Sequence, residues 1–139
     1  MARPAVPFSR LVDSLGNIAR EWRDFLVPSI ADWSPAGNGI TFAAASGTFV
    51  RRGQQVDVYA DVMWPVTASG AAARIAGLPH PVGTVPAGLV IGFSDLGSPC
   101  TLLAVANGTY LELYSVAGAP LTNAALSGKH IALSGTYLL

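Results

Sequence analysis

The chain has 139 residues, enough for one domain with a modest core and a short appendage. Eight basic residues balance eight acidic ones, so the composition provides no net charge that would favour nucleic acid or an anionic membrane surface. Charged residues make up only 12% of the chain, against roughly 25% in ordinary soluble domains. So few charges cover a small surface poorly, which predicts that copies of the chain or other partners bury part of its outside.

Membrane insertion and a disulfide framework are both disfavoured by the sequence. The apolar runs are far shorter than the ~20 residues that cross a bilayer, and the first ten residues, MARPAVPFSR, lack a secretory signal pattern. Cys100 is the single cysteine, which excludes an internal disulfide and a cysteine-rich zinc site. These features predict a protein that is made and assembled in a reducing cytoplasm.

Residues 1–28 combine a proline-containing arm with apolar residues at helical spacing. Pro7 suits the first turn of a helix because its missing N–H would be unpaired there, and Pro28 ends the pattern. Between the two prolines, large apolar residues occupy successive a and d positions of a heptad repeat: Phe8, Leu11, Leu15, Ile18, Trp22 and Phe25. This pattern predicts one short amphipathic helix that serves as an anchor or trimerisation segment.

Two interpretations of this helix remain open. The first is a short parallel trimeric coiled coil, for which a trimeric head would have to add stability, since Gly16 costs ~1 kcal/mol relative to alanine and so few heptads are marginal alone. The second is an amphipathic helix that packs on its own domain or on a neighbour. The aromatic residues in the seam favour three strands or an external groove over a two-stranded coil.

The sequence after the helix predicts a linker followed by an all-β domain. Residues 29–39 are rich in turn-forming residues and read as a linker, with Trp33 packed against the edge of the domain. From residue 40 to residue 139, short strands separated by Gly, Pro, Asn and Ser predict an antiparallel β-sandwich of jelly-roll type. The strands are expected at Ile40–Ala43, Thr48–Arg52, Gln55–Trp64, Ala71–Ala76, Leu89–Ser94, Thr101–Ala106, Thr109–Val116 and Ile131–Leu138.

The strongest strand pattern lies between Gln55 and Trp64, where apolar and polar residues alternate strictly. Val56 and every second residue up to Trp64 are expected to face the core, whereas Asp57, Tyr59 and Asp61 are expected on the opposite face. Gly53 can adopt positive φ in the turn before this strand. The pattern therefore predicts an antiparallel hairpin that forms one wall of the domain.

A second hairpin is predicted around Asn107 and Gly108, a pair that favours a two-residue type I′ turn. This register pairs Ala104 with Leu111 and places only leucine and alanine on the core face. The opposite face mixes apolar and polar side chains, as subunit interfaces do. Its candidate interface residues are Leu103, Val105, Tyr110 and Tyr114, and cover by loops of the same chain is the alternative.

No combination of residues indicates catalysis, a cofactor or a metal site. Asp57 and Asp61 lie four residues apart on one strand face, about 13 Å, beyond the ~5–9.5 Å of carboxylate pairs that hydrolyse glycosides. His80 and His130 have no Cys, Asp or Glu at ligand spacing, although a threefold axis could gather three copies of either. No serine lies in a Gly-x-Ser-x-Gly elbow. We therefore predict a protein that is not an enzyme.

Three stretches, GTFVRRGQQVDVYADVMW (Gly47 to Trp64), SGAAARIAGLP (Ser69 to Pro79) and SGTYL (Ser134 to Leu138), resemble small β-rich structural domains of tailed bacteriophages. Such domains occur at the tips of trimeric tail fibres and on other virion-surface proteins, and the resemblance covers roughly residues 39–139. It implies a virion protein that is a homotrimer and joins other virion proteins through its N-terminal segment.

The function that this resemblance implies is that of a tail-fibre or tail-tip protein whose head attaches to a saccharide or protein of the bacterial surface. The expected contact loops are His80–Pro86, Asp95–Pro99 and Gly118–Ser127. A capsid decoration protein, held by the same arm and helix, is the alternative. A polysaccharide-acting enzyme is a remote third hypothesis.

Overall fold

The computed structural model describes residues 29–139, which form an almost entirely antiparallel β domain. The predicted N-terminal helix, with Phe8, Leu11, Leu15, Ile18, Trp22 and Phe25, lies outside the described residues. The strands are β1 (Ser29–Trp33), β2 (Ala36–Gly37), β3 (Ala44–Arg52), β4 (Gln55–Met63), β5 (Arg74–Ala76), β6 (Ala87–Ser94), β7 (Cys100–Ala104), β8 (Tyr110–Ser115) and β9 (His130–Leu138). A 3₁₀ turn at Ala124–Leu126 is the one helical element of residues 29–139, in which no helix is long and apolar enough to cross a membrane.

The nine strands form a single curled sheet in the order β1-β3-β4-β9-β6-β7-β8-β5-β2. Strand β6 connects its two halves, because Ala87 to Leu89 pair with β7 and Val90 to Ser94 pair with β9. The end strands β1 and β2 are separated in the chain by only Ser34 and Pro35. Two residues span about 10 Å at most, so the two ends of the sheet must lie close together. The all-β prediction is therefore confirmed, as a curled nine-stranded sheet.

The core fills the inside of this curl and follows the predicted alternation of β4. Val56, Val58 and Val62 are fully buried and Trp64 is 1% exposed, whereas Tyr59 on the intervening face is half exposed. Every second residue of β4 thus faces the core, as the sequence predicts. Burial of these aliphatic and aromatic side chains is the main favourable term in the folding of the domain.

The structure differs from the sequence prediction over residues 29–43. Residues 29–39, expected as a linker, contain β1, which pairs with β3, and β2, which pairs with β5, while the strand expected at Ile40–Ala43 is absent. Strand β1 covers an edge of β3 that would otherwise be long and unpaired. Trp33 secures β1, since its indole lies over Gly47 and its Nε1 donates to the Tyr59 carbonyl at 3.2 Å.

The second hairpin has the predicted register and a different turn. Ala104 pairs with Leu111 and Leu102 with Leu113, which confirms the predicted pairing. A type I′ turn needs positive φ at both central residues, but only Asn107 has it, at 58°, and the Gly108 amide donates to the Val105 carbonyl at 3.0 Å. The type I′ prediction is wrong, since the turn also bonds outward, through the Asn107 amide, to the Gly83 carbonyl at 2.9 Å.

One end of the domain is closed by the segment that follows β8. Asn123, which is fully buried, accepts a hydrogen bond from Trp64 Nε1 at 3.0 Å and donates one to the Asn38 carbonyl at 2.9 Å. Its amide donates to the Ala71 carbonyl at 2.9 Å, and Leu126 is also fully buried. This segment falls in the expected contact loop Gly118–Ser127, of which Asn123 and Leu126 are buried while the other residues are exposed or half-buried.

Candidate functional site

The outer face of the half-sheet β1, β3, β4, β9 and β6 carries most of the exposed apolar surface of the described residues. Hereafter this surface is called the outer face. Of the nine large hydrophobic side chains exposed within residues 29–139, six belong to it, as the strand registers show. They are Ile30, Tyr59, Met63, Val90, Phe93 and Leu138. A group of this kind marks a surface that contacts a partner more often than one that faces only water.

A concavity of about 460 Å³ lies in the outer face over strands β1, β3 and β4. Its outward-pointing lining consists of five side chains: Asp32, Ser46, Thr48, Tyr59 and Asp61. Trp33, Gly47 and Ala60, which alternate with them in the strands, complete the lining together with Leu133 of β9. The outward residues of β3 in this lining, Ser46 and Thr48, are smaller than Tyr59 of β4, which fits a depression over β3.

The two carboxylates of the concavity are each held by a neighbouring strand. Asp32 Oδ1 accepts a hydrogen bond from the Thr48 hydroxyl at 3.3 Å. Asp61 Oδ1 contacts His130 Nε2, and the Asp61 side chain remains 58% exposed. His130 is held in turn, because its ring contacts Phe93 and its amide donates to Asp95 Oδ1 at 2.8 Å. The concavity therefore presents positioned carboxylate oxygens to solvent.

Asp57 lies on the same face of β4 but belongs to a separate polar group. Its Oδ1 accepts from the Thr136 hydroxyl at 2.6 Å and from Gln55 Nε2 at 3.1 Å, and Arg52 lies 3.7 Å from Oδ2. The Thr136 hydrogen bond holds the pKa of Asp57 below its ordinary value, with smaller contributions from the Gln55 hydrogen bond and the Arg52 charge, although burial opposes the shift. Asp57 and Asp61 therefore bind different partners on the outer face.

A second concavity, of about 390 Å³, lies where β6 and β7 diverge. It is lined by Ile91 to Ser94 and by Gly97 to Cys100, so it includes part of the expected contact loop Asp95–Pro99. Burial raises the pKa of the half-buried Cys100 thiol, which lowers its thiolate fraction at neutral pH. The lining shows no group of charged side chains that would select a ligand.

The candidate interface residues Leu103, Val105, Tyr110 and Tyr114 lie together on the outward side of β7 and β8 and are all half-buried. At the centre of that side, Glu112 is only 8% exposed and accepts from Arg74 Nε at 3.1 Å. Arg74 also lies over the Tyr110 ring, 4.5 Å from its centre. Burial, followed by the Glu112 carboxylate, raises the pKa of Tyr114. Their role as a subunit interface stays a prediction.

The sequence did not indicate the ion pair at the centre of this side, in which Arg74 of the stretch SGAAARIAGLP contacts Glu112. The pair forms because β5 is aligned with β8, so that Arg74 lies directly opposite Glu112. A single charge on each of two short strands carries no signal of this pairing in the sequence.

The two histidines have different environments. His80 follows β5, contacts the Phe49 ring, and has a pKa below its ordinary value because of burial and then the Arg51 charge. His130 meets Asp61 on the outer face. Within residues 29–139 no group of three His, Cys, Asp or Glu side chains lies close enough to hold a metal ion.

Comparison with known proteins does not assign this chain to a group. No family model, no curated protein and no solved structure matches it. The geometry of the described residues is therefore the basis for the functional argument.

Sequence reasoning placed Tyr59 and Asp61 correctly on the outward side of β4 but found no site there. It missed Asp32 because residues 29–39 were assigned to a linker. This stretch carried little signal of a strand, because four of the five residues of β1 are exposed and only Trp33 is buried.

Proposed function

We propose that this protein is a structural component of a tailed-bacteriophage virion, a homotrimeric tail-fibre or tail-tip protein. Its curled sheet, arranged as a jelly-roll-like sandwich, serves as the head that attaches to the bacterial surface. The observation that carries the proposal is the concentration of exposed apolar side chains on the outer face, in a chain with few charges. Such a surface is costly to leave in water, and a closed homo-oligomer covers it.

The two sides of the outer face have different compositions, which suits a division of roles. Val90 and Phe93 on β6 are 65% and 50% exposed and provide apolar contact surface for a neighbouring copy. The concavity over β1, β3 and β4 contains carboxylates and hydroxyls and provides polar contacts for a surface ligand. Three heads on one stalk would then bind a repetitive surface more tightly than one, because the later contacts are intramolecular.

The first test of this proposal is the mass of the purified full-length chain in sedimentation or mass photometry. We expect about three times 14.3 kDa. Val90→Asp should weaken the assembly, because it places a charge in the contact surface. Val116→Asp is the matched control, since Val116 is 70% exposed but lies in a loop. A monomeric wild-type chain would contradict the homotrimer. If the assembly of Val90→Asp had the same mass as the wild-type assembly, β6 would not be part of the contact between copies.

The second test is the number of copies in purified virions, measured by quantitative mass spectrometry against a known capsid protein. A tail fibre or tail tip should be present in tens of copies or fewer. Hundreds of copies would instead indicate the alternative function, a capsid decoration protein. Absence from virions would contradict both.

A further inference from the structure

We propose that the concavity of the outer face binds a saccharide carrying a free amino group, with the Tyr59 ring against the sugar ring, Asp61 at the ammonium, and Asp32, which lies two strands away, at hydroxyls on the opposite side. This inference rests on the proposed function and names the ligand class of its surface-binding head. It moves the contact from the predicted loops to the face of the sheet.

The arrangement of polar and aromatic groups fits a sugar ring. Tyr59 is 51% exposed at the border of the concavity, and an aromatic ring offers a flat apolar surface with polarised edges. Ser46 and Thr48 on the adjacent strand supply hydroxyls that donate and accept. A volume of about 460 Å³ falls in the ordinary range for small-molecule sites, ~300–1,000 Å³.

The charges of the concavity select among saccharides. An ionised carboxylate only accepts hydrogen bonds, so Asp32 and Asp61 favour a ligand rich in donors and disfavour one with carboxylates or phosphates. No lysine or arginine lines the concavity, and the neighbouring His130 is engaged with Asp61. Hydrogen bonds between opposite charges are stronger than neutral ones, so an ammonium group is preferred over a hydroxyl.

The strand pairing disfavours an extended peptide as the ligand. Peptides that bind to sheets add to a free edge through their backbone. The concavity instead lies across β3 and β4, which are paired on both sides by β1 and β9. Strands β3 and β4 therefore offer no free edge inside the concavity, where recognition must come from side chains, and only the outer edge of β1, an end strand of the sheet, is open to an added strand.

The test is a titration of the full-length protein with a glucosamine trisaccharide at pH 6.0, where the sugar amines are protonated and aspartates are ionised, and at 150 mM salt, followed by NMR chemical shifts. The probe is compared with the same trisaccharide after N-acetylation, which removes the charge and keeps the ring. We expect the amino form to bind at least five-fold more tightly, with shifts centred on Thr48, Tyr59 and Asp61.

Single substitutions separate the ring contact from the charge contacts. Tyr59→Ala should weaken binding of both forms about ten-fold, while Tyr59→Phe keeps most of it. Asp61→Asn should weaken only the amino form, again about ten-fold. Asp57→Asn is the matched control, because it removes the same charge from the same strand about 13 Å away, farther than the ~8 Å screening length at this salt, and Asp57 does not line the concavity.

Several outcomes would overturn the inference: no binding of either trisaccharide, equal affinity for both trisaccharides, or equal losses of affinity in Asp57→Asn and Asp61→Asn. Equal competition by a short lysine peptide would show a general cation site instead. These results are independent of the copy number in virions. If the protein is found in virions but binds neither trisaccharide, the proposed function is retained and the ligand assignment is wrong.

Discussion

The buried amide of Asn123 provides the sharpest test of how the domain is held together. In Asn123→Ala the indole N–H of Trp64, which is 1% exposed, and the Asn38 carbonyl lose their partners. A buried donor without a partner costs about 1–3 kcal/mol, and the lost side-chain packing adds to this. We expect the free energy of unfolding to fall by about 2–4 kcal/mol and the melting temperature by roughly 10 °C.

The assay is urea unfolding followed by far-UV circular dichroism, with Asn38→Ala as the matched control. Asn38 is half-buried and its side chain makes one bond, to the Ala72 carbonyl at 3.0 Å, while its own carbonyl still accepts from Asn123. The control should lose less than about 1 kcal/mol.

A double-mutant cycle with Trp64→Phe isolates the bond between Trp64 and Asn123. Each single variant leaves one atom of this bond buried without its partner, whereas the double variant removes both atoms. The double variant should therefore be more stable than the sum of the two single losses predicts, by about 1 kcal/mol or more. One hydrogen bond of this kind typically contributes ~1 kcal/mol. A decrease in the free energy of unfolding of less than about 0.5 kcal/mol in Asn123→Ala would therefore contradict the expected role of Asn123. Strictly additive losses in the cycle would also contradict it.

Two further predictions concern backbone approach and pH. Gly47→Ala should lower the free energy of unfolding by about 3 kcal/mol or more, because its new Cβ would lie 2.5 Å from Trp33 Nε1. Gly70→Ala is the control: a Cβ there would have no atom within 4 Å, so the variant should be neutral or slightly stabilising in the same unfolding assay. Burial raises the pKa of Tyr137 from 10.0 to about 12, so the protonated phenol is favoured in the folded state. The contribution of this phenol to the free energy of unfolding is complete below pH 10 and is lost as the pH rises to about 12. Tyr137→Phe, which removes the bond to the His80 carbonyl, should therefore be less stable than wild type below pH 10 and approach it by pH 12; a constant difference would contradict this.

The sequence was sufficient to predict the strand pairing of two hairpins, β3 with β4 and β7 with β8. The alternation of β4 and the pairing of Ala104 with Leu111 were both predictable, since side-chain direction and a short turn are local properties. The type of the second turn was not predictable. Asn107 also bonds to Gly83, a residue from a distant loop whose position depends on the whole domain.

The candidate site was only half predictable for the same reason. Tyr59 and Asp61 face outward by parity, but Asp32 joins them only because β1 pairs with β3. The contact of His130 with Asp61 requires β9 to lie beside β4, which joins residues separated by 69 positions. No spacing in the sequence indicates that neighbourhood.

The sequence by itself determined that residues 40–139 form short antiparallel strands with few surface charges, because alternation, glycine and asparagine act over a few residues. Only the tertiary structure decided that β1 belongs to the sheet, that Asn123 closes one end of the core, and that carboxylates from two strands border one concavity. Those arrangements depend on the order of strands in the curled sheet. Strand order follows from which buried surfaces fit together across the whole domain, and no local pattern carries that information.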